Sequence, residues 1–245
     1  WNFGDVNPPV HAWATLFVFR IDKELHGRGD TEFLTHAFQK LLVNFTWWLN
    51  RKDRDGRNVF EGGFLGLDNI GVFDRSSALP TGGYLDQADG TAWMAFYCQN
   101  MLEIALELAP TDPAVYGAMA SKFFEHFMWI AAAMDRVGEH QDEMWDEADG
   151  FFYDVLRFPD GTAVRLKVRS MVGLLSLCAT TVIEPETLEL VPDRLIRARR
   201  FLEHRPELAA NITMPGTLGL NGRRLLKPIA VTGGQQGPAA GQKAQ

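Results

Sequence analysis

The segment DTEFLTHAFQKLLVNFTWWL, residues Asp30–Leu49, carries the clearest fold signal in the chain. Its apolar side chains recur at the spacing of one face of an α-helix. Asp30 directly precedes this run, and a short acidic side chain at that position can accept a hydrogen bond from the first helical turn. The segment therefore predicts an amphipathic helix that packs on a core through one continuous stripe. The stripe consists of Leu34, Ala37, Phe38, Leu41, Phe45, Trp48 and Leu49.

Helical spacing continues on both sides of this segment. Before it, a helix is predicted from Val10 until Gly27-Arg28-Gly29 ends it. After it, helices are predicted from Asp86 to Leu108, from Pro113 to Gly138 and from Asp193 to Glu203. Leu225-Leu226 is expected to begin another helix. The apolar positions of the first helix are Trp13, Ala14, Phe17, Val18, Ile21 and Leu25.

A different period appears between Trp145 and Arg169. Apolar and polar residues alternate there in steps of two, and the turn Pro159-Asp160-Gly161 interrupts them, so this segment predicts a β-hairpin. Met171–Thr181 is apolar nearly all round and predicts a buried helix. The predicted fold class is all-α, with helices paired into a toroid and a small β-hairpin insertion. A toroid would explain why alternate connections are long, since a simple bundle prefers short ones.

Composition and charge limit the possible partners. The 245 residues are 46% hydrophobic and 22% charged, which is ordinary for a globular protein. The net charge of -7 disfavours nucleic acid or an anionic membrane as a partner, and no apolar run is long enough to span a bilayer. Cys98 and Cys178 both lie in apolar helical stretches, so we expect two reduced core thiols and a cytoplasmic protein. Composition does not indicate an oligomeric state.

Both ends of the chain suggest a fragment. The chain begins at Trp1 without a Met or a signal peptide, already in an aromatic stretch. Residues 231–245 are rich in Gly, Gln and Ala and cannot build a core. We therefore expect residues 1–230 to form a partial domain and residues 231–245 to be a disordered tail.

A long apolar, glycine-rich loop precedes the third helix and contains one isolated acid, Asp68, in Leu65-Gly66-Leu67-Asp68-Asn69. Apolar surroundings raise the pKa of a carboxyl group, and that can keep an acid protonated near neutral pH. Alternatively, Asp68 only accepts hydrogen bonds from backbone N–H groups of the loop. The residues alone leave both readings open.

Polar residues also crowd the start of the third helix. Asp86, Asp89, Gly90, Trp93 and Tyr97 share a face that differs from the apolar stripe. This face could line a cleft next to a tryptophan. It could equally be a solvated first turn, where Asp is favoured by the helix dipole.

Several kinds of chemistry lack their motifs here. The six His residues form no metal-binding spacing, and the acidic run Asp142–Asp149 has Trp145 and Leu156 where an EF-hand loop needs its first and last ligands. We expect no metal and no organic cofactor. The combination of carboxylates with tryptophans suggests sugar chemistry, because glycoside cleavage uses paired carboxyl groups.

Five segments, in order, resemble bacterial proteins of the glycoside hydrolase family 63 type, relatives of processing α-glucosidase I and mannosylglycerate hydrolase. They are NPPVHAWA (Asn7–Ala14), GGFLGLDNIGVFDRS (Gly62–Ser76), LPTGGYLDQADGTAWMA (Leu79–Ala95), MWDEADGFFYDV (Met144–Val155) and LKVRSMVGLL (Leu166–Leu175). The resemblance runs from Trp1 to about Leu226. It implies an (α/α)6 toroid, incomplete here, and an inverting hydrolase that cleaves a terminal α-linked sugar from an oligosaccharide or small glycoside.

The resemblance also implies roles for individual residues. The general acid of the family lies in a Gly-(Leu/Trp/Met)-Asp-(Asn/Asp) motif, which corresponds to Asp68 in Gly66-Leu67-Asp68-Asn69. Asn69 and Arg75 would then line the sugar pocket. Five further residues are expected in the pocket because of the residues around them: Trp13, Gln87, Trp93, Asp154 and Arg169.

The general base of the family lies on a segment that this chain does not contain. Inversion needs two carboxylates with a water between them, and neither Glu61 nor Asp86 has support as a substitute. We therefore expect the parent protein to be a glycosidase and the fragment alone to be inactive. Two alternatives stay open: a sugar epimerase or isomerase on a helical toroid, and a carbohydrate-binding remnant that does not cleave its ligand.

Overall fold

The structure is a computed structural model that describes residues 7–50, 56–60, 73, 78–135, 143–189, 192–209 and 219–228. Its α-helices are α1 (His11–His26), α2 (Thr31–Leu49), α3 (Ala88–Leu108), α4 (Pro113–Asp135), α5 (Pro185–Glu189), α6 (Pro192–His204) and α7 (Pro206–Ala209). Its strands are β1 (Tyr84–Asp86), β2 (Trp145–Asp146), β3 (Phe151–Phe152), β4 (Asp154–Arg157), β5 (Ala163–Leu166), β6 (Thr181–Ile183) and β7 (Arg224–Leu226). Two 3₁₀ helices span Met171–Cys178 and Leu220–Gly222.

Helix α3 is the centre of the molecule. It is buried along almost its whole length and packs most extensively on α4, while α1, α2 and the first 3₁₀ helix cover its other sides. Aromatic rings fill the space between these helices: the Phe45 ring meets those of Tyr97 and Phe123 edge to face, with centroids 5.3 and 5.0 Å apart. A helix covered on all sides can be apolar all round, which is why α3 shows only a weak amphipathic pattern.

The prediction for α2 is confirmed. The helix begins after Asp30, whose Oδ1 accepts a hydrogen bond from the backbone N–H of Phe33 at 2.9 Å. Such a bond satisfies one of the donors that the first turn leaves without a partner. The residues of the stripe that are fully buried are Leu34, Phe38, Leu41, Phe45 and Trp48.

The all-α prediction, and with it the incomplete (α/α)6 toroid, is wrong. The described chain is a mixed structure in which three antiparallel sheets accompany the helical core. The predicted hairpin is present as β4 and β5, but β1 pairs with the other edge of β4 and makes a three-stranded sheet in the order β1-β4-β5. Because β1 takes up residues 84–86, α3 begins at Ala88 and not at Asp86.

Two other segments also differ from their predictions. Met171–Cys178 is a 3₁₀ helix that exposes Met171, Leu174 and Leu177, because residues three apart align along one edge of such a helix. It is therefore buried on one side only. Leu225 and Leu226 lie in β7, which pairs with β6 and does not start a helix.

Cys178 is exposed and Cys98 is buried, so only one of the two predicted core thiols is in the core. None of the helices in the described ranges is both long and apolar enough to cross a bilayer. The predicted tail, residues 231–245, lies outside the described residues.

Candidate functional site

The N-terminal end of α3 carries polar side chains that the sequence predicts at the start of the third helix. In the structure these side chains are buried. Strand β1 leads into this end: Asp86 is its last residue, Gln87 is the N-cap of α3, and Asp89 lies in the first turn. Their exposed fractions are only 1%, 1% and 0%. Of the two readings of this polar face, the solvated first turn is therefore wrong. The positive end of the helix dipole favours carboxylates at this place.

Asp86 forms a buried ion pair with Arg157 of the neighbouring strand β4. The Arg157 Nε lies 2.5 Å from the Asp86 Oδ2, and the side chains are 5% and 1% exposed. The antiparallel register makes the contact possible, because it places Asp86 opposite Val155 and Tyr84 opposite Arg157. The pair ties the end of β1 to the central strand of its sheet.

The other carboxylates at this end hold the helix terminus. Asp154 Oδ1 accepts a hydrogen bond from the backbone N–H of Ala88 at 2.8 Å, and Asp89 Oδ1 accepts one from Gly90 at 2.8 Å. Each bond satisfies a donor that the first turn of a helix leaves open. Asp154, predicted as a sugar ligand, thus has a role in fixing the start of α3.

Trp93 stands one turn further along α3 and is half-buried. Its ring packs beside an apolar cluster that includes Ala92 and Val155, and it meets the Phe96 ring at a centroid distance of 5.9 Å. The indole Nε1 is buried and has no hydrogen-bond partner in the part of the chain that the structure describes. A buried donor without a partner is uncommon in folded proteins and marks a place where a polar acceptor is favoured.

Phe60, the last described residue before the segment that contains Asp68, is bonded to the start of α3. The Phe60 carbonyl accepts a hydrogen bond from the Gln87 backbone N–H at 3.2 Å, and the Phe60 N–H donates to Thr91 Oγ1 at 3.0 Å. Phe60 is 2% exposed, so these two hydrogen bonds lie inside the core. Three predicted site residues, Asp68, Asn69 and Arg75, lie outside the described residues.

Two further predicted ligands are on other surfaces. Trp13 lies on α1, where it is 47% exposed and stacks on Phe17 with ring centroids 5.3 Å apart. Arg169 follows β5, and its guanidinium donates to Asp149 Oδ1 at 3.0 Å while its side chain is 65% exposed. Tyr97, predicted to line a cleft, is fully buried in the core and hydrogen-bonds to the Leu41 carbonyl at 3.0 Å.

An ion cluster joins Asp146, at the end of β2, and Asp149, in the turn after it, to Lys167, which follows the hairpin strand β5. Lys167 Nζ lies 2.7 Å from Asp146 Oδ2 and 3.1 Å from Asp149 Oδ2. The hydrogen bonds from Lys167 hold the pKa of both carboxyl groups below the usual range, and the carboxylates raise the pKa of Lys167. Asp146 is 4% exposed, whereas Glu147, Ala148 and Gly150 of the turn that follows are exposed. Within the described residues no group of His, Cys, Asp and Glu side chains has the arrangement of a metal site.

Arg157 is the residue of this site that sequence reasoning misses. It ends a strand whose four residues are all buried, because β4 lies between β1 and β5. The signal in the sequence is a single Arg at the end of an apolar strand segment. The role of this Arg becomes clear only when it is known that β1, which carries Asp86, pairs with β4.

The chain is similar over 241 residues to the uncharacterised protein YMR196W of Saccharomyces cerevisiae, with 51% identical residues. The match covers 94% of this chain and 22% of the yeast protein, so the chain spans about a fifth of the length of this relative. No protein-family model matches the chain.

Proposed function

We propose that this chain contributes the acid-bearing part of an inverting glycoside hydrolase of the family 63 type, which cleaves a terminal α-linked sugar. Asp68 donates a proton to the bridging oxygen, and a water molecule attacks the opposite face of the sugar. The proposal concerns the activity of a longer protein, because the chain spans only about a fifth of its yeast relative. It includes a cytoplasmic location and requires no cofactor.

One observation supports the proposal: Phe60, the last described residue before the Asp68 segment, is fixed at a buried polar site with a tryptophan. Phe60 is bonded to Gln87 and Thr91 in the first turn of α3. One turn further along α3 lies the half-buried indole of Trp93, whose buried N–H lacks an acceptor among the described residues. Indole rings cover the apolar face of a sugar, and an indole N–H can donate to a hydroxyl.

The described carboxylates at this site support the assignment of the acid to Asp68 by elimination. Asp86 is paired with Arg157, while Asp154 and Asp89 accept hydrogen bonds from the backbone of α3. A general acid must reach the proton acceptor of its substrate, and groups held inside the fold are poorly placed for that task.

The same fact favours a second candidate, a carbohydrate-binding protein without hydrolytic activity. If the buried carboxylates only hold α3 in place, the site can stack and hydrogen-bond a sugar without cleaving it. Such a protein would bind a glycoside and release no monosaccharide.

The test uses the longest native protein that contains this chain, incubated with a panel of α-linked disaccharides. We expect release of a monosaccharide with inverted anomeric configuration, observed by NMR. Asp68→Asn should lower turnover by about 10²-fold or more, in the range of general acid catalysis, with sugar binding retained. Glu32→Gln, an exposed substitution on α2, serves as the control. Normal turnover of Asp68→Asn would refute the assignment, and binding without turnover in the native protein would select the second candidate.

A further inference from the structure

The outward face of α1 is apolar, although α1 is already packed on the core by its inward face. The outward residues Trp13, Phe17, Ile21 and Leu25 are 47%, 50%, 41% and 73% exposed. They are spaced four residues apart, so they form one continuous ridge along the helix. The rings of Trp13 and Phe17 are stacked on each other, with an interplanar angle of 16°.

The orientation of α1 is fixed, so the ridge cannot turn inward. The opposite side of the helix buries Ala12, Leu16 and Phe19 in the core. Ion pairs to α3 add to this attachment: Arg20 lies 2.5 Å from Glu103, and Lys23 lies 3.0 Å from Glu107. A helix that is hydrophobic on both sides is normally covered on both sides.

We propose that this ridge is the packing site for a second amphipathic helix, which belongs to the same polypeptide as this chain in a longer protein. The spacing argues for a helix as the occupant, because rows of side chains four residues apart fit the grooves of another helix. Helices packed through such rows cross at about -50°. The proposal is independent of the catalytic role of Asp68.

The length of the yeast relative argues for a segment of the same polypeptide. The matched region is 22% of that protein, so most of its residues are available to cover the ridge. Pairing of two copies through this ridge is less favourable. A patch of this kind covers about 300–600 Å², whereas a stable interface needs about 800 Å² from each partner. A covalently connected helix also avoids the entropic cost of association.

The experiment compares the 245-residue chain with a chimaera in which it replaces the matched segment of the intact yeast relative. Hydroxyl-radical footprinting reports the accessibility of Trp13 and Phe17 in both proteins. We expect several-fold weaker oxidation of these rings in the chimaera. If the chimaera does not fold, the same measurement on the intact yeast protein, at the positions aligned with Trp13 and Phe17, replaces it.

A pair of variants gives a second test, based on melting temperatures, whose expected result would not arise from misfolding. Trp13→Glu should leave the melting temperature of the 245-residue chain nearly unchanged, because the side chain is half-exposed there. In the chimaera it should lower the melting temperature by several degrees, since the charge would then be buried. Val43→Glu, at a residue of α2 that is 74% exposed, is the matched control.

Equal oxidation of Trp13 in both proteins, or an equal effect of Trp13→Glu in both, would overturn the proposal. Protection of Trp13 in a dimer of the 245-residue chain would overturn it as well and would assign the ridge to a second copy. Light scattering of the free chain, with and without Trp13→Glu, detects this outcome.

Discussion

Arg157 and Asp86 show at the scale of single residues how the site depends on buried charge. Removal of one member of a buried ion pair is strongly destabilising, because the other loses its opposite charge. We expect Arg157→Met to lower the free energy of unfolding by about 3–5 kcal/mol in urea denaturation. The double variant Asp86→Leu/Arg157→Met removes both charges and should regain much of this loss. An unchanged stability of Arg157→Met would contradict the ion pair.

Gly83 is required where the turn before β1 passes the backbone of β4. A Cβ atom at this position would lie 1.7 Å from the carbonyl oxygen of Arg157, and a backbone atom cannot move aside as a side chain can. We expect Gly83→Ala to lower the free energy of unfolding by about 2 kcal/mol or more, in the range of overpacked positions. The control is Gly219→Ala, where the nearest atom, the Arg223 carbonyl oxygen, is 3.4 Å away. Equal stabilities of the two variants would contradict the close approach.

At the scale of elements, the long helices and the hairpin of β4 and β5 could be predicted, whereas the strands β1 and β7 could not. Helix α2 carries its own periodic stripe and its own cap, so local sequence determines its bounds. Strands β1 and β7 have three residues each, and their partners lie far away in the chain. Their pairing is decided by tertiary contacts, and a short apolar run such as Leu225-Leu226 fits a strand as well as a helix.

The cap of α2 gives a prediction for a single element. Asp30 accepts the hydrogen bond of the Phe33 N–H, and loss of such a cap costs about 1 kcal/mol. We expect Asp30→Ala to lower the free energy of unfolding by this amount in urea denaturation. Asp30→Asn keeps an acceptor oxygen and should stay within a few tenths of a kcal/mol of the unchanged protein. Equal losses in both variants would indicate that charge, and not capping, is responsible.

The ion cluster of the hairpin predicts how stability depends on pH. Lys167 lowers the pKa of Asp146 and Asp149 below 3.8 in the folded state. Their contribution to stability is therefore present above the unfolded pKa and is lost as the pH falls through the folded pKa. We expect the free energy of unfolding to fall below about pH 4, and to fall less steeply in Lys167→Met. Lys122→Met, an exposed residue of α4, is the control. If the free energy of unfolding fell equally steeply at acid pH in Lys167→Met and in the unchanged protein, the assignment would be contradicted.

For the whole molecule, the sequence predicts a helical core correctly but does not predict how polar groups are distributed around it. The polar face of Asp86 and Asp89 is visible in the sequence, yet its burial depends on β4, which comes from a distant segment. The structure shows that Phe60 is bonded to Gln87, while Asp68 lies outside the described residues. Tertiary packing, and not local propensity, buries Asp86 against Arg157.

The two cysteines report on the packing of the whole molecule. Burial raises the pKa of the Cys98 thiol and removes it from reagents, whereas Cys178 is exposed. We expect one thiol of the native protein to react rapidly with a colorimetric disulfide reagent. The second should react only when α3 is released from its neighbours, at a rate that rises with urea concentration. Cys178→Ser should lack the rapid phase. If that variant still reacted rapidly, α3 would be open to solvent, and the buried site at its N-terminal end would be open with it.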